Sequence, residues 1–258
     1  MGPTALLYRI YERRLAADLR RRGGLPRHVG VIIDGNRRWA RQLGMKVMVG
    51  HRRGADQIDR LLEWSHDLGI PVVTLWLLST DNMLGRHPAE VAGLLEIIED
   101  KVRQLAREGG PDGYRIVPVG QLGALPDRTR TALDEAAEVS RAHTGGVLHV
   151  AVGYGGREEI ADAVQRLLGD YADKGLDLVE ASRLVTPDEI ARHLYTAGVP
   201  DPDLIIRTSG EIRLSGFLLW QSAHAEYYFA DAYWPDFRKV DFLRALRSYA
   251  QRHRRFGR

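Results

Sequence analysis

The chain has 258 residues, of which 44% are hydrophobic and 28% charged, with a net charge of +3 at pH 7. That length supports a core that needs no covalent staple. The absence of cysteine excludes a disulfide scaffold, a thiolate metal centre and a cysteine nucleophile.

In chain order, the first expected element is a basic amphipathic helix within an N-terminal extension, residues 1–27. Leu6, Leu7, Ile10, Leu15 and Leu19 run as an apolar stripe beneath its arginines. Residues 1–28 carry seven arginines against Glu12 and Asp18, and residues 238–258 carry eight basic residues against Asp241, which leaves an acidic middle. Basic ends of this kind suit an anionic membrane surface, or are simply solvated helix faces. No nucleic-acid-binding module accompanies them, so no nucleic-acid partner is expected. No run reaches the roughly 20 apolar residues of a membrane span, and no signal peptide is recognisable. The expectation is a cytoplasmic protein, with peripheral contact at the inner face of the membrane as the alternative the basic ends allow.

Residues 29–33, Val-Gly-Val-Ile-Ile, read as a buried strand closed by Asp34-Gly35-Asn36. A helix follows over 54–67, a strand over 72–78, a helix over 88–107, a strand over 114–119 and a helix from Pro126. The next strand, 147–152, ends in Gly153-Tyr154-Gly155-Gly156 before another helix. Thr186-Pro187-Asp188-Glu189 carries the cap, first-turn proline and early acids of a helix start. A strand at 204–206 and a terminal helix over 238–254 complete the series. Continuous apolar strands alternating with helices predict an α/β fold: a single domain with a mainly parallel sheet of about six strands, covered by helices on both faces.

Ligands in such sheets bind beyond the carboxyl ends of the strands. Four polar clusters stand there: Asp34 to Arg38, Ser79 to Asn82, Gly153 to Arg157, and Arg207 to Ser215. The first places a carboxylate, a glycine and two guanidiniums at a helix start, which suits a phosphate; alone, it is equally an Asp-Gly turn. The last offers Arg207, Arg213 and the Ser215 hydroxyl to a second anion, or is a surface loop. No Walker loop, dinucleotide fingerprint or DDxxD magnesium motif is present.

Five ordered segments carry a resemblance. His28-Val-Gly-Val-Ile-Ile-Asp34-Gly-Asn-Arg-Arg-Trp-Ala-Arg41, Ser79-Thr-Asp-Asn82, Gly153-Tyr-Gly-Gly-Arg157, Asp201-Pro-Asp-Leu-Ile-Ile-Arg207-Thr-Ser-Gly-Glu-Ile-Arg213-Leu-Ser215 and Phe217-Leu-Leu-Trp-Gln-Ser-Ala-His-Ala-Glu226 resemble the signatures of the cis-prenyltransferases, the undecaprenyl diphosphate synthase family. The likeness implies a catalytic domain over residues 28–258 and a homodimer. It also implies an enzyme that condenses isopentenyl diphosphate with an allylic diphosphate, using Mg²⁺.

By that resemblance, Asp34 is the essential carboxylate and a metal ligand, with Glu226 as a second metal contact. Gly35, Asn36, Arg37, Arg38, Trp39, His51, Ser79, Thr80, Asp81 and Arg86 would hold the allylic diphosphate. Arg207, Arg213, Leu214 and Ser215 would hold isopentenyl diphosphate, and Asn82 would serve proton removal. Leu77 stands where long-chain members often have alanine, so it is expected to wall the product tunnel. The nearest likeness is to actinobacterial short-chain members that make (2Z,6E)-farnesyl diphosphate from geranyl diphosphate. A long-chain synthase (C50–C55) and a non-catalytic subunit of the same fold are the alternatives. The chain departs from the family pattern at Val47, at Met83, near Gly85, where one residue is inserted, and at Gly216.

Overall fold

The computed structural model describes residues 3–110 and 112–252. In chain order the elements are α1 (Pro3–Arg22), β1 (His28–Ile32), α2 (Asn36–Gln42), α3 (Val47–Asp67), β2 (Val72–Ser79), α4 (Thr80–Gly85), α5 (Pro88–Glu108), β3 (Tyr114–Val119), α6 (Asp127–Val139), β4 (Gly146–Tyr154), α7 (Gly156–Asp173), α8 (Leu178–Leu184), α9 (Pro187–Arg192), β5 (Leu204–Arg207), β6 (Glu226–Phe229) and α10 (Lys239–Gln251). The six strands form one sheet in the order β3-β4-β2-β1-β5-β6, with every neighbouring pair parallel.

Buried residues fill all of β1 and all of β5, as expected of central strands covered on both faces. One large core cluster joins β1, β2 and β4 to α3, α5 and α10. A second, aromatic cluster sits on the opposite face, where Trp76 stacks on Phe217 at 5.2 Å with Tyr154 edge-on to both.

Two sequence expectations change here. The sixth strand, β6, has no continuous apolar run to announce it: its four residues, Glu-Tyr-Tyr-Phe, are all half-buried at the sheet edge. The apolar stripe of the N-terminal helix is also spent internally in part, since Leu15, Ala16 and Leu19 enter the main core. Arg247 donates to the Tyr11 hydroxyl at 3.1 Å, and the Arg238 guanidinium lies over the Tyr8 ring. The side chains of Leu6 and Leu7, and the basic residues 254, 255 and 258, lie outside the described residues. Among the described residues, no helix is long and apolar enough to cross a membrane.

Candidate active site

At the carboxyl ends of β1, β2 and β5 lies a cavity of about 420 Å³. β1 delivers the chain to Asp34, whose backbone is fixed from three sides. The Thr208 hydroxyl accepts its N–H (3.0 Å) and donates to its carbonyl (2.7 Å), and the Trp234 N–H donates to the same carbonyl. Gly35 then turns the chain at φ 102°, where any Cβ would lie 2.6 Å from the Tyr233 ring. Only glycine fits that position without strain. Asn36 opens α2 and seats against α3, where a Cβ at Gly54 would come within 2.7 Å of its amide.

The Asp34 carboxylate joins the two arginine clusters. Arg207 Nη2 donates to one oxygen (2.9 Å) and Arg38 Nη2 to the other (3.2 Å). Arg207 Nη1 also donates to Ser215 Oγ (3.0 Å) and to the Arg213 carbonyl. Arg38 continues to Ser209 Oγ (2.6 Å) and to Glu211 (2.9 Å), which takes Arg213 on its second oxygen (2.5 Å). Ser209 and Ser215 both hold positive φ, 77° and 52°, a cost concentrated at this loop. Burial acts to raise the pKa of Asp34, but the Arg207 fork, the Arg38 charge and the Ser209 hydroxyl outweigh it and hold the group below the ordinary carboxylate value.

Opposite this ring, Glu90 gathers two guanidiniums and an imidazole. Arg37 Nε, His51 Nε2 and Arg86 Nη1 lie 3.3, 3.3 and 3.5 Å from its Oε1. Burial lowers the pKa of His51, partly offset by Glu90 and reinforced by Arg86 and Arg37. Burial likewise lowers the pKa of Arg86. Asn36 Oδ1, Arg37 Nε, His51 Nδ1, Arg86 Nε and Arg207 Nε are buried with no hydrogen-bond partner, so polar capacity remains for a bound anion.

The cavity wall includes Asp34, Gly35, Asn36, Arg37, Arg38, His51, Leu77, Ser79, Asp81, Asn82, Arg86, Arg207, Arg213 and Ser215. Ser79 caps α4 by accepting the Asn82 N–H (3.0 Å), which fixes both residues at the rim. Four expected site residues are placed elsewhere. The Trp39 indole N–H donates to Asp236 (2.8 Å), outside the wall. Thr80 lies beside Gly155, where a Cβ would approach its hydroxyl at 2.7 Å. Leu214 packs against the aromatic cluster instead of facing the cavity.

Glu226 stands furthest from the cavity within one chain. It opens β6 in register with Leu204, three residues before Arg207 and its partner Phe229, and its carboxylate pairs with Arg252. Strands rise about 3.3 Å per residue, so within one chain Glu226 stands near the amino edge of the sheet while Asp34 lies past the carboxyl edge. The two do not form a joint metal site there.

The segment around Gly153–Arg157 is structural. A Cβ at Gly156 would come within 2.3 Å of the Gly216 carbonyl, and the Tyr154 hydroxyl donates to buried Glu159 (2.5 Å). Glu90, Glu211 and Arg41, the last a member of the wall, belong to the site but were not singled out from sequence. Arg41, Glu90 and Glu211 each have a signal only in hindsight: helical or near-neighbour spacing from residues already chosen.

Two clusters of cationic side chains share one ionised carboxylate, in a cavity whose wall also contains Leu77, Trp76 and Leu94. Comparison with known proteins gives that arrangement its class. The family model described as "Putative undecaprenyl diphosphate synthase" matches residues 32–257. The chain is 57% identical over 252 residues to a (2Z,6E)-farnesyl diphosphate synthase of Thermobifida fusca, covering 97% of each. It is 50% identical over 258 residues to a short-chain Z-isoprenyl diphosphate synthase of Mycobacterium bovis, covering 98% of this chain and 96% of that one. Among solved structures, a lavandulyl diphosphate synthase from Lavandula x intermedia in complex with dimethylallyl diphosphate superposes with a TM-score of 0.82 at 34% identity, covering 90% of this chain and 98% of that one. The chain belongs to the undecaprenyl diphosphate synthase family and is a cis-prenyltransferase.

Proposed function

We propose that the enzyme condenses isopentenyl diphosphate with geranyl diphosphate to give (2Z,6E)-farnesyl diphosphate, with Mg²⁺ as its metal. The observation that carries this reading is the one cavity that both cationic clusters line together with Leu77. The names of the Thermobifida and Mycobacterium relatives support the short product.

Arg37, Arg38, Arg86 and the N–H groups at the start of α2 bind the allylic diphosphate and stabilise the charge that grows on it as its C–O bond breaks. Arg207, Arg213 and Ser215 hold the second diphosphate, so that the isopentenyl double bond is presented to the allylic carbon. Asn82 is a neutral amide and a poor base; it positions a water or a diphosphate oxygen that takes the departing proton.

Asp34 fits a hard divalent cation: it is ionised, faces the cavity, and each oxygen retains a lone-pair direction beyond its arginine. When bound there, Mg²⁺ would neutralise part of the leaving diphosphate's charge. The non-catalytic alternative is disfavoured by the complete charged ring around Asp34, and the C50–C55 alternative by Leu77.

Residues 28–258 form the catalytic domain of this proposal and residues 1–27 its helical extension. A homodimer is part of the same reading, because β6 is an edge strand whose Tyr227 and Phe229 stack on one face. Peripheral contact with a membrane would rest on the basic ends.

The test is labelled isopentenyl diphosphate with C5, C10 and C15 primers in parallel, followed by chromatography of the dephosphorylated products. The C10 primer should react best and give C15. A C50 or C55 product overturns the short-chain reading.

A further inference from the structure

Below Leu77 a second, apolar pouch opens off the cavity, sharing Asn36, His51, Leu77 and Leu94 with it. It runs between two helices: His51, Ala55 and Ile58 on α3 face Leu94, Ile98 and Lys101 on α5. Both sets recur at steps of three or four residues, so each is one stripe of its helix. From Leu94 to Lys101 the pouch extends about 10 Å along the helix axis. Its free volume is about 30 Å³, the share of a single water molecule in the liquid.

Lys101 is out of place in this lining. It is only 6% exposed, and its ammonium donates to Asp59 Oδ2 on α3 (2.8 Å) and to Gln104 Oε1 (2.7 Å). A buried ammonium persists only where it is paired. The contact with Asp59, whose side chain is 43% exposed, therefore clamps α5 to α3 at the far end of the pouch.

We propose that the Lys101–Asp59 ion pair is a second end stop for the growing prenyl tail, in series with Leu77, making Lys101 a specificity-determining residue for product length. This inference rests on the cis-prenyltransferase reading above. Leu77 stands between cavity and pouch; Lys101 closes the pouch beyond it. A tail that passes Leu77 meets an ammonium whose hydrogen bonds a hydrocarbon cannot replace, and advancing would cost the buried Lys101 its pairing with Asp59. The tail stops there, unless the pair is removed.

The experiment compares four enzymes: wild type, Leu77→Ala, Leu77→Ala/Lys101→Ala and Leu77→Ala/Asp59→Ala. Each is supplied with geranyl diphosphate and labelled isopentenyl diphosphate. The readout is the ratio of product lengths within each reaction, which does not depend on how much enzyme is folded. Leu77→Ala should lengthen the product by a few isoprene units and then stop. Either double variant should raise the share of still longer products about tenfold, as expected when a pocket no longer excludes added methylenes. Asp59 lies at the surface, so its double variant decides the matter if the Lys101 variant does not fold. Double variants that reproduce the Leu77→Ala distribution overturn the stop, as does a Leu77→Ala enzyme that already runs to C50. The wild-type product alone tests the short-chain reading, so the two failures are distinguishable.

Discussion

Arg207 and Asp34 meet at 2.9 Å where two central strands end side by side, Arg207 in register with Ile32 two residues before the aspartate. The arginine side chain is almost fully buried and the carboxylate is partly open to the cavity. Asp34 is also bound by Arg38, and Glu211 in turn bridges Arg38 to Arg213. The arginines assigned to the two diphosphates are therefore not independent sites: they form one ring of alternating charge.

Replacing Arg207 by lysine tests the geometry of that ring rather than its charge. A single ammonium cannot serve Asp34, Ser215 and the Arg213 carbonyl in the planar arrangement the guanidinium uses. Arg207→Lys is expected to lower kcat/KM for isopentenyl diphosphate about 10- to 100-fold, the loss of one or two charge-assisted hydrogen bonds. Steady-state kinetics with each substrate varied in turn checks it. A KM for isopentenyl diphosphate equal to that of wild type would contradict the assignment.

Glu90 offers a second test on the allylic side. Its one oxygen lies within 3.5 Å of Arg37, His51 and Arg86, so the carboxylate offsets repulsion between two guanidiniums that must point together and accepts from the imidazole. Glu90→Gln keeps the shape and removes that charge. The three side chains should separate, and the KM for geranyl diphosphate should rise about tenfold, since a catalytic cradle depends on prior positioning, while the KM for isopentenyl diphosphate stays near wild type. A parallel rise in both constants would show that Glu90 supports the fold at large.

The proton-handling role of Asn82 is separable by pH. Its side chain faces the cavity rim and its backbone is held by Ser79. Asn82→Asp places a negative charge beside two diphosphates and removes an amide donor. The variant should lose about 100-fold in kcat, the scale of one misplaced acid–base group, and its rate profile should gain a new ionisation. Full activity with an unaltered pH profile would remove Asn82 from the mechanism.

What could be read in the sequence, and what could not, follows physical lines. The central strands and the Asp34–Arg38 turn were legible because continuous apolar runs are rare and a glycine turn with flanking charge has few purposes. The Arg207–Ser215 loop was legible as a polar cluster beyond a strand end, though residues alone left an anion site and a surface loop equally open. Glu90 and Glu211 were not, since a carboxylate on a helix or loop looks solvated until its cations arrive from segments 53 or 173 residues away, as Arg37 and Arg38 do. β6 escaped because four half-buried residues make no apolar run. Trp39, Thr80 and Leu214 came with the motifs of the resemblance, but neighbouring residues on a helix or an extended segment point in different directions. Glu226 shows the same limit at larger scale: motif order does not say at which end of a strand a residue stands.

The interior of the sheet carries a final consequence, unrelated to the active site. His28 on β1 and His149 on β4 are both buried and flank Thr74 on β2. His28 Nδ1 is 2.7 Å from the Pro200 carbonyl and so must donate; its Nε2 then accepts the Thr74 hydroxyl at 2.7 Å, and the Thr74 oxygen accepts His149 Nδ1–H at 3.1 Å. With both rings neutral this chain of donors and acceptors closes. Burial lowers the pKa of His28 to about 4, opposed by the Pro200 carbonyl and Asp203. Burial lowers that of His149 to about 3, helped by His28 and by Arg115. Because both folded-state values lie below the unfolded value of about 6.5, the unfolded chain binds more protons in between, and stability must fall as the pH drops through that window. The loss from His28 alone should be on the order of 3 kcal/mol by about pH 4. Urea unfolding midpoints measured from about pH 7.5 down to pH 4.5 should decline steadily, and His149→Val should flatten the decline. A midpoint that stays constant over that range, or a slope unchanged by the substitution, would mean the two rings are not held neutral by the fold.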